Sequence, residues 1–301
     1  MAATYRFVPE WPRLPEGWDL HDVPGVAVDA EDRVFAFARH PRPVLALDAA
    51  GAFRGFWGEG RFTRPHAIAA GPDGSLYLDD DAGHAIYRYT PEGRLLLTLG
   101  TPGQPSDTGA VKNDYRTVKH GAGPFNYPTD LAVAPNGDLY VSDGYGNARV
   151  HCFAPDGRLK FSWGEPGTEP GQFNLPHGVA VGADGRVYVA DRQNDRVQVF
   201  TGDGAFLAQW TGLRRPTDLY VAPGGEIFVS ELGNGPSAPA RVSVFDGDGG
   251  ARWTFGEGVL NAAHGIAGDS HGAIYVGEVA WTIFRDGVPA GARGMRKFER
   301  A

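Results

Sequence analysis

Three of the nine histidines in this 301-residue chain stand in a shared local setting: His66 in "RPHAIA", His177 in "LPHGVA" and His264 in "AAHGIA". Each follows a proline or alanine and precedes a short run of small and β-branched residues, the doorway of a β-strand. One histidine in such a place is most simply a satisfied core residue. Three of them, if the fold points them at one spot, form a set of neutral imidazoles that leaves one coordination position open, as a catalytic zinc requires. Copper, nickel and iron also accept imidazole, so zinc is the favoured ion among several divalent transition metals. The other six, His21, His40, His84, His120, His151 and His271, share no such setting and read as surface or turn residues.

Whether the three converge depends on the elements that carry them. The stretch "NLPHGVAVGADGRVYVADRQNDRVQVF" (174–200) recurs as "NYPTDLAVAPNGDLYVSDGYGNARVHCF" (126–153), and more loosely at 22–47, 63–89, 214–245 and 261–284. The residue ahead of each first strand falls at Pro24, Pro65, Pro128, Pro176, Pro216 and Ala263, at spacings of 41, 63, 48, 40 and 47. A period of forty-odd residues with one long insertion, at 101–123, marks a repeat architecture. Short alternating runs within each unit are separated by "PDG", "PNG" or "ADG", which favour tight hairpins. No unit shows a 3.6-residue apolar period, which excludes helical solenoids. Six units of up to four strands predict an all-β, six-bladed β-propeller, with residues 1–301 forming one domain. The sixth unit ends at its third strand, "MRKFER", so its outer strand is expected from the segment around 4–14, closing the ring.

In such a ring the first strand of each blade is innermost, and alternate blades stand about 120° apart. The residue after each marker is Gly25, His66, Thr129, His177, Thr217 and His264, with histidine in the even units alone. That alternation aims three imidazoles at one point on the axis. The same register puts Arg39 of "FAFAR" and Arg192 of "VADR" just past the second strands, with Tyr145 of "VSDGYGN" one position further on. Paired guanidiniums grip carboxylates by bidentate hydrogen bonds, and a phenol beside a dication can yield its proton and act as a base. Asp143, Asp191, Asn147, Asn194, Arg149 and Arg196 recur with the repeat and are expected to bond the turns between strands. The 101–123 insertion, with Tyr115, Arg116, Lys119 and His120, is long enough to be a lid or a binding segment. The smaller insertion at 232–240 is expected to border the same face.

Composition narrows the partners. A net charge of −8 with no block of Lys or Arg argues against nucleic acid. No 18-residue apolar run and no apolar leader occur, so a soluble, cytoplasmic protein without a membrane partner is expected. The single cysteine, Cys152, lies inside the run "RVHCF". It excludes an internal disulfide, which agrees with a reducing compartment, and reads as a core residue.

The repeat "FNLPHGVAV…GRVYVADRQNDRVQVF" resembles the NHL repeat. Together with "YPTDLAV…VSDGYGNARV", the constellation resembles, more narrowly, the peptidyl-α-hydroxyglycine α-amidating lyase family over nearly the whole chain. The resemblance implies a six-bladed propeller with zinc on His66, His177 and His264, substrate-binding arginines at Arg39 and Arg192, and a catalytic tyrosine at Tyr145. It implies metal-assisted C–N cleavage of an N-acyl-α-hydroxyglycine, small or at a peptide C-terminus, into an amide and glyoxylate. The chain departs from the family at three places. The family's calcium-binding aspartate after the third histidine is Gly265 here, so a structural calcium does not carry over, although the Val26 and Ile68 carbonyls remain. "NAA" replaces the family's bulky apolar residue and proline before that histidine, and Gly146 stands where secreted members have a cysteine. Secreted peptide hormones are therefore not the expected substrates. A metal-dependent hydrolase of a small amide, ester or lactone would use the same histidines. A non-catalytic NHL scaffold is the third reading; it would call for partner domains, coiled coils or a basic face, and the sequence shows none.

Overall fold

The second strand of every unit is the part most strongly dictated by sequence. Runs such as "LYLDD", "LYVSD" and "VYVAD" are buried along their whole length, because each lies between its own hairpin partners and the faces of neighbouring blades. Outer runs such as "LKFSW" have no buried residue. A computed structural model describes residues 4–301 and arranges the described strands as six antiparallel sheets of four. The six innermost strands are Gly25–Val28, Pro65–Ala70, Pro128–Val133, Pro176–Val181, Pro216–Val221 and Ala263–Gly268, numbered here as blades 1 to 6. Each packs beside the next around the ring, and blade 6 returns to blade 1. The expected closure is present: Tyr5–Phe7 pairs with Met295–Arg300 as the outermost strand of blade 6, in the register Tyr5↔Arg300.

Two local devices shape the mouth of the channel. The first is a carboxylate at the end of the second strand. Asp80, Asp143, Asp191, Glu231 and Glu278 each accept a hydrogen bond from a backbone N–H two residues ahead of the marker: Thr63 (2.8 Å), Asn126 (3.0 Å), Asn174 (2.7 Å), Arg214 (2.5 Å) and Asn261 (2.6 Å). The chain entering each inner strand is thus clamped to the chain leaving the second. Blade 1 has Ala38 at the corresponding place. Asn147, Asn194 and Arg196 join these clamps as expected. His151 joins them too, which corrects its reading as a surface residue. It is fully buried, with Nε2 3.2 Å from Asp143 Oδ2 and Nδ1 2.7 Å from Ser162 Oγ. His84 sits in a turn as expected, but it is also buried and accepts the Tyr127 N–H.

The second device is a β-bulge. The ladder between first and second strands slips between Pro65 and Ala67, Pro128 and Asp130, Pro176 and Gly178, Pro216 and Asp218, and Ala263 and Ile266. The displaced residue is the one after the marker, joined in blade 6 by Gly265, so the bulge turns that side chain out of the sheet and toward the axis. Blade 1 alone keeps a regular ladder through Gly25.

Two segments depart from the strand pattern. "AWTIF" (Ala280–Phe284), which closes the loose sixth copy of the repeat, is a short α-helix, and the third strand of that blade is Met295–Arg300, as expected from "MRKFER". The 101–123 insertion holds a 3-10 turn at Tyr115–Thr117. Cys152 is a buried free thiol. Among the described residues, no helix is long and apolar enough to cross a membrane.

Candidate active site

The three bulges on blades 2, 4 and 6 bring His66, His177 and His264 together. Their ring centroids are 4.7–5.0 Å apart, and one ring nitrogen of each lies within 4.8 Å of the other two. Each Nδ1 is 2.7 Å from a backbone carbonyl of the following blade: Thr129 O, Thr217 O and Pro24 O respectively. A carbonyl only accepts, so all three Nδ1 atoms carry the proton and all three Nε2 atoms keep a free lone pair facing the axis. Burial holds the imidazoles neutral. It pushes His66 and His177 well below the usual range and His264 down to about 3. Nearby positive charge adds to this, from Arg39 and Arg64 at His66 and from Arg192 at His177. Three neutral, pre-oriented nitrogens with converging lone pairs fit a divalent transition metal.

Tyr145 reaches the same point. Its Oη is 3.2 Å from His66 Nε2 and 3.1 Å from His177 Nε2. The loop that carries it is threaded between backbones. A Cβ at Gly144 would fall 2.0 Å from Pro176 O, and one at Gly146 would fall 2.3 Å from Asn126 Oδ1. Both flanking glycines are therefore required by close approach. The 101–123 insertion pins this loop: Thr108 Oγ1 donates to Gly146 O (2.5 Å), and Asn126 Nδ2 donates to Ser106 O (2.9 Å).

The two arginines flank the trio on opposite sides. Arg192 is buried; its Nη1 lies 3.4 Å from Tyr145 Oη, and its guanidinium lies over the phenol ring at 5.4 Å. Arg39 is more heavily engaged. Its Nε donates to Pro65 O (3.3 Å), its Nη1 donates to Thr282 Oγ1 (2.8 Å), and Asp22 stands 3.8 Å away.

Three further groups escaped the sequence reading. Arg64 makes a two-point contact with Asp81 (2.6 Å each) and lies 5.6 Å from the Tyr145 ring centroid. Arg215, which likewise directly precedes an inner-strand proline, is partly buried with no partner for Nε. The shared position of the two, in "TRPHA" and "RRPTD", was the available signal. Asp79 carries two buried carboxylate oxygens without partners, 3.9 Å from His66 Nδ1. Burial pushes its carboxyl well above the usual range, reinforced by the charge of Asp81. Its counterparts on blades 3 and 5 are Ser142 and Ser230, so no repeat pattern announced it.

Gly265 is also explained by close approach. A Cβ there would lie 2.6 Å from Pro24 O, so the position does not accept an aspartate without backbone movement.

Comparison with known proteins gives the class. The NHL repeat model matches residues 125–153 and 173–200; the chain is an NHL-repeat, six-bladed β-propeller. Its relatives include peptidyl-alpha-hydroxyglycine alpha-amidating lyase 1 of Drosophila melanogaster, 32% identical over 219 residues, or 66% of this chain and 37% of that protein. The chain thus matches well under half the length of that relative. NHL repeat-containing protein 3 of Homo sapiens is 31% identical over 242 residues, covering 75% of this chain and 66% of that protein. A solved gluconolactonase from Xanthomonas campestris superposes with a TM-score of 0.65 at 17% identity, over 94% of this chain and 87% of that one. That last likeness is one of fold.

Proposed function

We propose that this protein is a metal-dependent carbon–nitrogen lyase that cleaves an N-acyl-α-hydroxyglycine, small or peptide-borne, into an amide and glyoxylate. The observation that carries the reading is the meeting of three lone-pair nitrogens, of His66, His177 and His264, with the Tyr145 hydroxyl and the Arg192 guanidinium. Relatives named as amidating lyases support the reaction class. The histidines would hold the metal, with zinc favoured by the all-imidazole donor set. Bound there, the ion supplies Lewis acidity toward the substrate's α-hydroxyl oxygen.

The protein's own groups do the rest. Arg192, with Arg39 across the trio, holds the substrate carboxylate and so fixes the α-carbon beside Tyr145. Tyr145 Oη takes the α-hydroxyl proton. As that C–O bond becomes a carbonyl, the C–N bond breaks and its electron pair leaves with the amide nitrogen, which Tyr145 then reprotonates. No oxygen from water enters either product. The low basicity of the three histidines keeps them as donors to the ion across the physiological range.

The test is incubation of the metal-loaded protein with α-hydroxyhippurate. Benzamide and glyoxylate in equal amounts, above the uncatalysed rate, are the expected products. Benzoate would show hydrolysis of the amide instead, and no turnover with a full equivalent of metal would remove the lyase reading.

A further inference from the structure

A cavity of about 570 Å³ lies between the 232–240 insertion and the short helix Ala280–Phe284. Its walls are mainly apolar, with Leu232, Pro239, Leu260, Ile283 and Phe284 among them, and Arg215 stands in the lining. Pockets of roughly 300–1,000 Å³ with apolar walls and a few polar groups are the usual form of small-molecule sites. Ile283 and Phe284 are 41% and 37% exposed, although their helix is firmly held. Asp22 accepts the N–H groups of Trp281 and Thr282 at 3.0 Å each, and it also accepts the Thr282 hydroxyl. A rigid helix that presents two large apolar side chains to a cavity is a feature that blades 1 to 5 lack.

The cavity is tied to the reaction site at both ends. On one side, Thr282 of the helix accepts a hydrogen bond from Arg39. On the other, the Arg215 N–H donates to Asp195 Oδ1 (2.8 Å), and the Asp195 N–H bonds the Arg192 carbonyl (3.4 Å). The Arg215 Nε is buried without a partner. Burial and the neighbouring Arg192 charge both act against its own charge. A guanidinium in that setting has a donor to offer an oxygen acceptor from outside the chain.

We propose that this cavity is the subsite for the acyl half of the substrate, taking a bulky apolar acyl group, aryl or medium-chain alkyl, with Arg215 donating to the acyl carbonyl oxygen. The identity of the ligand rests on the lyase reading above; the apolar preference and the part played by Arg215 rest on the cavity. A substrate with its carboxylate at Arg192 and its acyl oxygen at Arg215 would lay the scissile C–N bond beside Tyr145.

Binding of N-acylglycines, which lack the α-hydroxyl and do not react, tests the subsite apart from catalysis. Titration calorimetry on the metal-loaded protein would compare N-acetyl-, N-hexanoyl- and N-benzoylglycine. The hexanoyl and benzoyl compounds should bind roughly 10- to 100-fold more tightly than the acetyl compound, the gain from burying several apolar carbons. An Ile283→Ser/Phe284→Ser double variant, at two exposed positions where the fold tolerates change, should erase most of that preference and leave N-acetylglycine unaffected. Arg215→Gln should weaken all three ligands by a similar factor, because all three carry the amide oxygen. Equal affinities across the series, a preference that survives the double variant, or no binding at all would overturn the proposal. Turnover of α-hydroxyhippurate is read separately. A protein with the affinity gradient but no glyoxylate release keeps the subsite and loses the lyase reading, and one that turns over without the gradient does the reverse.

Discussion

At the bulged position of the inner strands, blades 2, 4 and 6 carry histidine and blades 3 and 5 carry threonine, on nearly the same backbone. Each histidine leans on the blade that follows it through Nδ1. Each threonine does likewise: Thr129 Oγ1 reaches Pro176 O at 2.8 Å, and Thr217 Oγ1 reaches Ala263 O at 3.2 Å. Blade 1, with Gly25 and no bulge, uses Arg39 Nε on Pro65 O for the same link. The bonds thus run one way round the channel, each blade to the next. What differs is what is left over. An imidazole has a second nitrogen free for the axis once its carbonyl bond is made, and a threonine hydroxyl has used its only proton. Odd blades stitch the ring and orient the histidines, and even blades present the donors.

The sharpest way to break that division is to exchange its members. His177→Ala should abolish stoichiometric metal binding, an effect beyond the roughly 10- to 100-fold that changes to supporting residues produce. Elemental analysis after dialysis reads it directly. Thr217→Val should retain the metal, because the carbonyl that orients His177 belongs to the backbone. If both variants lost the ion equally, the two kinds of blade would not be doing different work.

Tyr145→Phe comes next in size. It keeps the ring edge-on to His66 and His177 and removes only the hydroxyl, so metal content should not change. Glyoxylate release should fall by about 10²- to 10⁴-fold, the usual range for loss of a positioned acid–base group. A drop of less than tenfold would move the proton transfer to another group.

Thr217→Val has its own effect, on stability. It leaves the Ala263 carbonyl short of a donor, while the Ser230 hydroxyl keeps His264 O and the Asp218 N–H, at a cost of about 1–3 kcal/mol. The denaturant midpoint should shift by that amount with an unchanged slope.

The alternation of histidine and threonine is legible in the amino-acid sequence, because a repeat lines up equivalent positions and the period of the histidines is two units. The same logic places Tyr145, Arg39 and Arg192 at strand ends, and the N-terminal strand closing the ring follows from a missing fourth strand. Features that owe nothing to the repeat are not legible in this way. "AWTIF" is five residues long, too short for a 3.6-residue period to show. Asp79 differs from its serine counterparts, and alignment of the repeats treats such a difference as noise. His151 sits inside a strand whose side chains alternate, yet both faces are covered by neighbouring blades. Arg64 and Arg215 precede the marker, where the chain reads as a connection, and only the carboxylate clamps reveal how firmly that connection is held.

The smallest effect concerns the residue after the bulge, where Asp130 and Asp218 on the threonine blades face Ala67, Gly178 and Gly265 on the histidine blades. Burial pushes the Asp218 carboxyl up to about 6, although it accepts the Ile266 and Leu219 N–H groups at 2.9 and 2.7 Å. A carboxyl whose folded pKa lies above its unfolded value contributes stability below about pH 4 that is lost as pH rises through 6. The buried histidines slope the other way. Their folded values lie below 6.5, so the stability of the metal-free protein that depends on them is present above 6.5 and lost as pH falls. Over pH 4–6.5 the two sets oppose each other, and the wild-type profile should be flattened. Asp218→Asn cannot ionise, so it removes one slope, while giving up one of the two N–H bonds that the carboxyl accepts. Relative to the wild type, the variant should gain on the order of 1 kcal/mol between pH 4 and pH 7.5. Denaturant midpoints of the metal-free proteins at both pH values measure it, and a difference that did not change with pH would mean the residue acts through packing and not through its charge.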